Sequence, residues 1–102
     1  MGKVIGLIYS TFENADQAQS VAQSLIEQKL AKCANILSPH TAIYEWQGAI
    51  QNDTEVAVLF KCAFDKKEKF MSALQDAHPY DTPCILEIDA SANTEFVRWL
   101  EG

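Results

Sequence analysis

A single arginine, Arg98, is the most consequential shortage in this chain of 102 residues. Lysine and arginine together number 8 against 14 aspartates and glutamates, for a formal charge of −6, and the lysines stand singly except at Lys66-Lys67. No basic stripe exists to follow a phosphate backbone, so nucleic acid is not an expected partner. Only four glycines are present, and none forms a phosphate-cradling loop. No apolar run approaches the roughly 18 residues of a membrane span. The stretch Gly2 to Ile8 is too short for a leader and runs straight into polar sequence. A soluble, unprocessed, cytoplasmic chain with no membrane partner is expected. The three cysteines, Cys33, Cys62 and Cys84, have no C-x-x-C spacing, and their odd number leaves at least one unpaired. They read as reduced, mostly buried small hydrophobes, which suits a reducing compartment.

Catalytic signatures are equally scarce. Acyl phosphate hydrolysis on a small α+β scaffold would want an arginine in an N-terminal anion-binding loop, whereas Arg98 lies near the other end. There is no Ser/His/Asp or Cys/His arrangement in a recognisable local context. The chain reads as a non-enzyme that requires no cofactor. At 48% hydrophobic residues it can bury one modest core, so residues 1–102 form a single domain.

What the sequence does contain is concentrated in His78-Pro79-Tyr80-Asp81-Thr82-Pro83, which holds two of the three prolines and one of the two histidines. Each proline fixes its own φ and biases the residue before it toward extended geometry. The segment therefore stops a helix and hands over to a strand in a rigid frame. His78 has two readings there, a metal ligand or a cation complementing the end of the helix dipole.

Hydrophobic periodicity places the remaining elements. Val4 to Tyr9 is a short β-branched and aromatic run that suits a central strand. Asn14 and Gln17 form a capping box for a helix over about 15–30, whose stripe is Ala18, Val21, Ala22, Leu25 and Leu30. Ala34 to Leu37, Thr41 to Trp46 and Thr54 to Cys62 are extended, with Gly48 and Asn52-Asp53 as turn residues and His40 in a loop. Val56, Val58 and Phe60 share one face of the last run, with Glu55, Ala57, Leu59 and Lys61 on the other. Asp65 and Glu68 start a second helix that ends at His78-Pro79. Cys84 to Ile88 alternate as a strand, and Asn93 caps a short terminal helix carrying Phe96, Val97 and Leu100 inward.

The order β-α-β-β-α-β with one appended helix predicts a ferredoxin-like α+β fold, an antiparallel sheet with helices on one face. The long hairpin between the second and third strands of that order overhangs the domain, and one sheet face, including Ala57 and Leu59, is left uncovered. Both call for other copies of the chain.

Five ordered stretches carry a resemblance to the CutA divalent-cation tolerance family over nearly the whole length. They are 30–36 (Leu-Ala-Lys-Cys-Ala-Asn-Ile), 43–48 (Ile-Tyr-Glu-Trp-Gln-Gly), Glu55, Lys61, and the segment from His78 to Pro83. The resemblance implies a homotrimer with PII-like architecture, linked to divalent metal ion tolerance or response and to Cu(II) or another divalent cation as ligand. It also implies a cleft between subunits near Cys33, Trp46, Glu55, Lys61, His78 and Tyr80. Copper ligation in the family is attributed to a strand cysteine and two adjacent histidines. Tyr9 and Ala77 stand at two of those positions here, so His78 is the one remaining metal candidate. The alternative is a PII-like sensor or scaffold that takes a small molecule or a protein at the intersubunit clefts.

Overall fold

The computed structural model describes residues 3–102. Strand β1, Lys3–Phe12, is longer than its apolar run and buries Ile8, Ser10 and Phe12 completely. At Gly6 it passes so close to the neighbouring strand that an added Cβ would sit 2.5 Å from Cys62 Sγ. Helix α1 covers Ala15–Glu27 and is capped by Asn14, whose Oδ1 accepts from Gln17 N–H at 2.8 Å. The reciprocal half of the box is displaced by one residue, because Gln17 Oε1 accepts from Glu13 N–H rather than from the cap itself.

The helix stops three residues before the expected end. Lys29 turns left-handed at φ 65°, its N–H donates to Ile26 O, and Leu30 N–H donates back to Leu25 O at 3.1 Å. This is a Schellman closure without the usual glycine.

The next 30 residues form β2 (Cys33–Ile36), β3 (His40–Trp46) and β4 (Ala49–Cys62). Strands β2 and β3 are one edge broken in two: Leu37 N–H still donates to Ala57 O at 2.9 Å, and Pro39 has no donor with which to continue. Trp46 pairs with Ala49, so the hairpin turn is Gln47-Gly48, both at positive φ as a two-residue turn of this hand requires. Asn52 and Asp53, expected in a turn, instead pair with Ile43 and Ala42 inside the ribbon, and His40 opens β3 opposite Glu55.

Asp65 caps nothing: it lies in a 3-10 turn, Phe64–Lys66, and α2 (Lys67–Ala77) follows with no side-chain cap. Strand β5 is Ile85–Ala92 and α3 is Thr94–Glu101, whose N-cap residue Asn93 makes no side-chain bond. Lys67 pairs with Glu87, tying α2 to β5.

The strands form an antiparallel sheet in the order β2-β4-β1-β5, and β3 pairs with the half of β4 that projects beyond it. The register assigns two faces. Ile8, Phe12, Val56, Val58 and Phe60 lie under α1 and α2 with Leu25, Phe70 and Leu74, forming the main core. On the opposite face, Ile5, Leu7, Ala90 and Ala92 pack against Val97, Leu100 and Phe96 of α3. The third helix therefore covers one end of the face that was expected to lie open, and Ala57 is already buried within the chain.

The middle of that face remains uncovered. Leu59, Tyr9 and Leu86 stand in one row across β4, β1 and β5, with Lys61, Leu7 and Ile88 in the next. Leu86 is 49% exposed and Ile88 39%. The projecting ribbon stretches the chain to 45 × 27 × 22 Å.

Candidate functional site

Where the ribbon leaves the sheet, its concave side meets the end of β1 and the loop after α2 in a cleft of about 800 Å³. Alternation along paired strands puts Tyr44, Trp46, Asp53 and Glu55 on that side, and Thr11, Glu13, Tyr80, Asp81 and Cys84 close it from below.

The floor is set by His78. Its backbone N–H donates to Leu74 O, closing α2, and extended geometry (φ −70°, ψ 133°) then swings the ring back under β1. The imidazole stacks on Phe12, with centroids 4.5 Å apart and planes 12° from parallel, and is only 7% exposed. Nδ1 accepts from Tyr80 N–H at 3.1 Å, which leaves Nε2 to donate to the Thr11 carbonyl at 2.9 Å. Burial pushes its pKa below the ordinary histidine value, outweighing the Thr11 carbonyl and Glu55, which act in the other direction. The ring is a neutral cross-link between loop and sheet, with both nitrogens occupied, rather than a cation at the helix end. A metal reaches Nδ1 only by displacing the Tyr80 amide.

Fixing Tyr80 N–H fixes the Tyr80 side chain, whose hydroxyl donates to Glu55 Oε2 at 3.0 Å. A second pair repeats the arrangement: the Tyr44 hydroxyl donates to Asp53 Oδ2 at 2.5 Å. Both phenols are held above their ordinary pKa, Tyr80 chiefly by burial with Glu55 adding to it, and Tyr44 chiefly by its bond to Asp53. Burial also raises the Cys84 thiol. The Cys84 carbonyl accepts from the wholly buried Ser10 hydroxyl at 2.7 Å, which pins the far end of the loop to β1.

Of the six residues singled out in the sequence, Trp46, Glu55 and Tyr80 line this cleft and His78 supports it. Cys33 and Lys61 do not belong to it. They pair with each other across β2 and β4, six residues along β4 from Glu55 and so roughly 20 Å away. Lys61 Nζ there lies 5.6 Å from the centre of the Phe96 ring. Only Cys62 is fully buried, with its thiol pushed up to about 11 by burial; Cys33 is half-buried and Cys84 exposed at the rim of the cleft, so the expectation of mostly buried cysteines fails for two of the three.

The sequence reading missed Thr11, Glu13, Tyr44 and Asp53 as parts of one site. The available signal was the repeat of an aromatic pair (Tyr44, Trp46) and an acidic pair (Asp53, Glu55) at alternate positions on two runs joined by a tight turn. Among the described residues, no group of three His, Cys, Asp or Glu side chains converges closely enough to hold a metal ion. No helix among them is long and apolar enough to cross a membrane.

Together these features define a small α+β domain with a βαββαβ core, an appended helix, a projecting ribbon and an acidic, aromatic cleft at the ribbon's base. Residues 6–102 match the model of the CutA1 divalent ion tolerance protein family, and the chain belongs to that family. It is 36% identical over 95 residues to the divalent-cation tolerance protein CutA of Pyrococcus horikoshii, covering 92% of each chain. A similar protein of Thermotoga maritima is 35% identical, with 92% of this chain and 93% of that one covered. The solved structure of divalent ion tolerance protein CutA1 from Ehrlichia chaffeensis superposes with a TM-score of 0.91 at 39% identity, covering 95% of this chain and 92% of the other. None of these names is that of an enzyme.

Proposed function

We propose that this protein serves divalent-cation tolerance as a homotrimer with PII-like architecture. The observation that carries the tolerance reading is the family match over residues 6–102. The trimer reading is supported by the row of Leu59, Tyr9 and Leu86 on an uncovered sheet face beside a ribbon with Ile43 and Ile50 exposed. Assembly is also what the family resemblance requires for Cys33 and Lys61, which one chain keeps away from its own cleft, to stand near a cleft at all.

Direct cation binding is then weak and not built on a single chain. One imidazole with both nitrogens engaged, in a cleft where no three His, Cys, Asp or Glu side chains converge among the described residues, gives little affinity or selectivity for Cu(II). Isothermal titration of Cu(II) into the assembled protein is expected to show dissociation constants no tighter than roughly micromolar. His78→Ala should alter that affinity little. Its collapse in the variant would instead make His78 a true ligand that gives up its Tyr80 bond to the metal.

A second reading, a sensor or scaffold taking a small molecule at the clefts, is favoured by one observation. The cleft is large and walled by Trp46 and Tyr44 rather than being a compact knot of ligands. The three unpaired cysteines fit action in the cytoplasm, whereas an Archaeoglobus fulgidus relative is described as periplasmic.

A further inference from the structure

Val56 is the outermost residue of β4 that pairs with β1, opposite Phe12, so Ala49 to Glu55 have β3 as their only strand partner. The ribbon from His40 to Glu55 therefore leaves the sheet as a bare pair of strands, an arrangement of marginal stability in water. Its large apolar side chains gain little cover from their own chain, with Ile50 81%, Ile43 69% and Trp46 48% exposed. Such an arm can swing about its base unless something fixes the angle.

Among the described residues, one side-chain hydrogen bond runs from this ribbon to the rest of the chain, from the Tyr80 hydroxyl to Glu55 Oε2. The Tyr44 to Asp53 bond joins the two ribbon strands to each other and leaves the pair free to move as a unit. No ion pair, aromatic pair or ring-to-cation contact among the described residues involves 40–55. Glu55 stands at the root of the arm, and Gly48 at its tip is seven residues further, roughly 23 Å along the strand. A small change of angle at Glu55 thus becomes a large displacement at the tip.

Tyr80 is a firm point to tie the arm to. Its N–H is held by His78 Nδ1, and its ring lies against the His78 ring at 4.8 Å. His78 is in turn fixed by the Thr11 carbonyl and the Phe12 ring, while the Ser10 hydroxyl pins Cys84 at the other end of the loop. Restraint runs from the buried core through the loop to one hydroxyl and ends on the ribbon. Tyr80 and Glu55 are both only half-buried, so water would satisfy each without the other, and what the bond adds is geometry.

We propose that Tyr80 is a positioning residue for assembly: its bond to Glu55 sets the angle at which a second copy of this chain covers the ribbon. Glu55, Ala57 and Leu59 share one face of β4, so the concave side of the ribbon and the bare sheet face form one continuous surface for one partner. An arm fixed in advance loses less freedom on association than one that swings. The proposal rests on the homotrimer reading and names the contact within each subunit that prepares it.

Subunit exchange between isotope-labelled and unlabelled protein, followed by native mass spectrometry, tests this on the full chain. Tyr80→Phe keeps the ring against His78, Glu55→Ala removes the acceptor, and Glu55→Gln keeps one for the hydroxyl. The first two should each speed exchange about ten-fold, and combined they should do no more than either alone. Glu55→Gln should stay within about three-fold of the wild type. Amide relaxation in Leu86→Lys, where a charge on the bare face keeps subunits apart, reads the arm itself. Order parameters at Gly48 and Ile50 should fall when Tyr80→Phe is added, with those of β1 unchanged. Exchange at the wild-type rate in Tyr80→Phe, or a tip equally ordered with and without the hydroxyl, would overturn the proposal. A wild type that forms no trimer removes the homotrimer reading instead, and relaxation of the wild-type and Tyr80→Phe chains then decides whether Tyr80 holds the arm.

Discussion

Protonating His78 would place a second N–H against the Tyr80 amide that Nδ1 now accepts, inside a stack with Phe12. Neutral imidazole is thus the form that the fold selects, and the sign of the pH effect follows. Above the ordinary histidine pKa of 6.5 the ring is neutral in both folded and unfolded chains, and its full contribution is present. As pH falls below that value the unfolded chain takes up a proton that the folded one refuses, so stability declines until the lowered folded pKa is reached. Urea unfolding measured from pH 7.5 down to 5 should show this slope in the wild type and a shallower one in His78→Ala. The variant should also lose about 2–4 kcal/mol at neutral pH, because Thr11 O and Tyr80 N–H lose their partner and Phe12 its stacking neighbour. Equal slopes in the two proteins would mean that another group senses the acid. The sequence marked this histidine through its prolines, but not its direction. Whether a ring at a helix end faces solvent or folds under a strand depends on Phe12 and Thr11, more than sixty residues earlier in the chain.

At the scale of elements, periodicity located the three α-helices and the strand regions, but it began β4 at Thr54 rather than Ala49 and took the 3-10 turn at Phe64–Lys66 for the start of α2. Gly48 was legible as turn chemistry, whereas Asn52-Asp53 carried the same chemistry and lie within β4, because Gln47-Gly48 already supplies the two positive-φ residues the hairpin needs. The amphipathic stripe of α3 was equally legible, but a stripe says that a face is buried, not against which side of a sheet. The end of α1 was misread because its left-handed residue is a lysine. That residue yields a direct expectation. Lys29 holds φ 65°, at a cost of about 1–2 kcal/mol for an L-residue. Lys29→Gly removes that strain and returns part of it as greater freedom in the unfolded chain, for a net gain of about 0.5–1 kcal/mol. Lys29→Ala keeps the strain and should gain nothing. Thermal unfolding of the three proteins side by side checks this, and an equal gain for alanine would place the effect in the lysine charge instead.

For the whole molecule, the question is what lies on the face that α3 leaves bare. Rows of apolar residues across three strands, beside a ribbon that reaches past its own sheet, form a surface that a lone soluble chain rarely presents. This much was visible in the sequence as an overhang and an unpartnered face. The acidic cleft at the ribbon's base was not, because it needs the fold to bring Thr11, Asp53 and Asp81 together. Leu86→Lys puts a charge in the middle of the bare face at a position 49% exposed. In an isolated chain such a substitution costs within about 0.5 kcal/mol. In a trimer it buries three unpaired charges at once, each opposed by desolvation. Sedimentation at micromolar concentration should therefore find the wild type as a trimer and Leu86→Lys as a monomer, and the thermal midpoint of the wild type alone should rise with protein concentration. A wild type that sediments as a stable monomer with a concentration-independent midpoint would remove the trimer, and with it the route by which Cys33 and Lys61 reach a cleft.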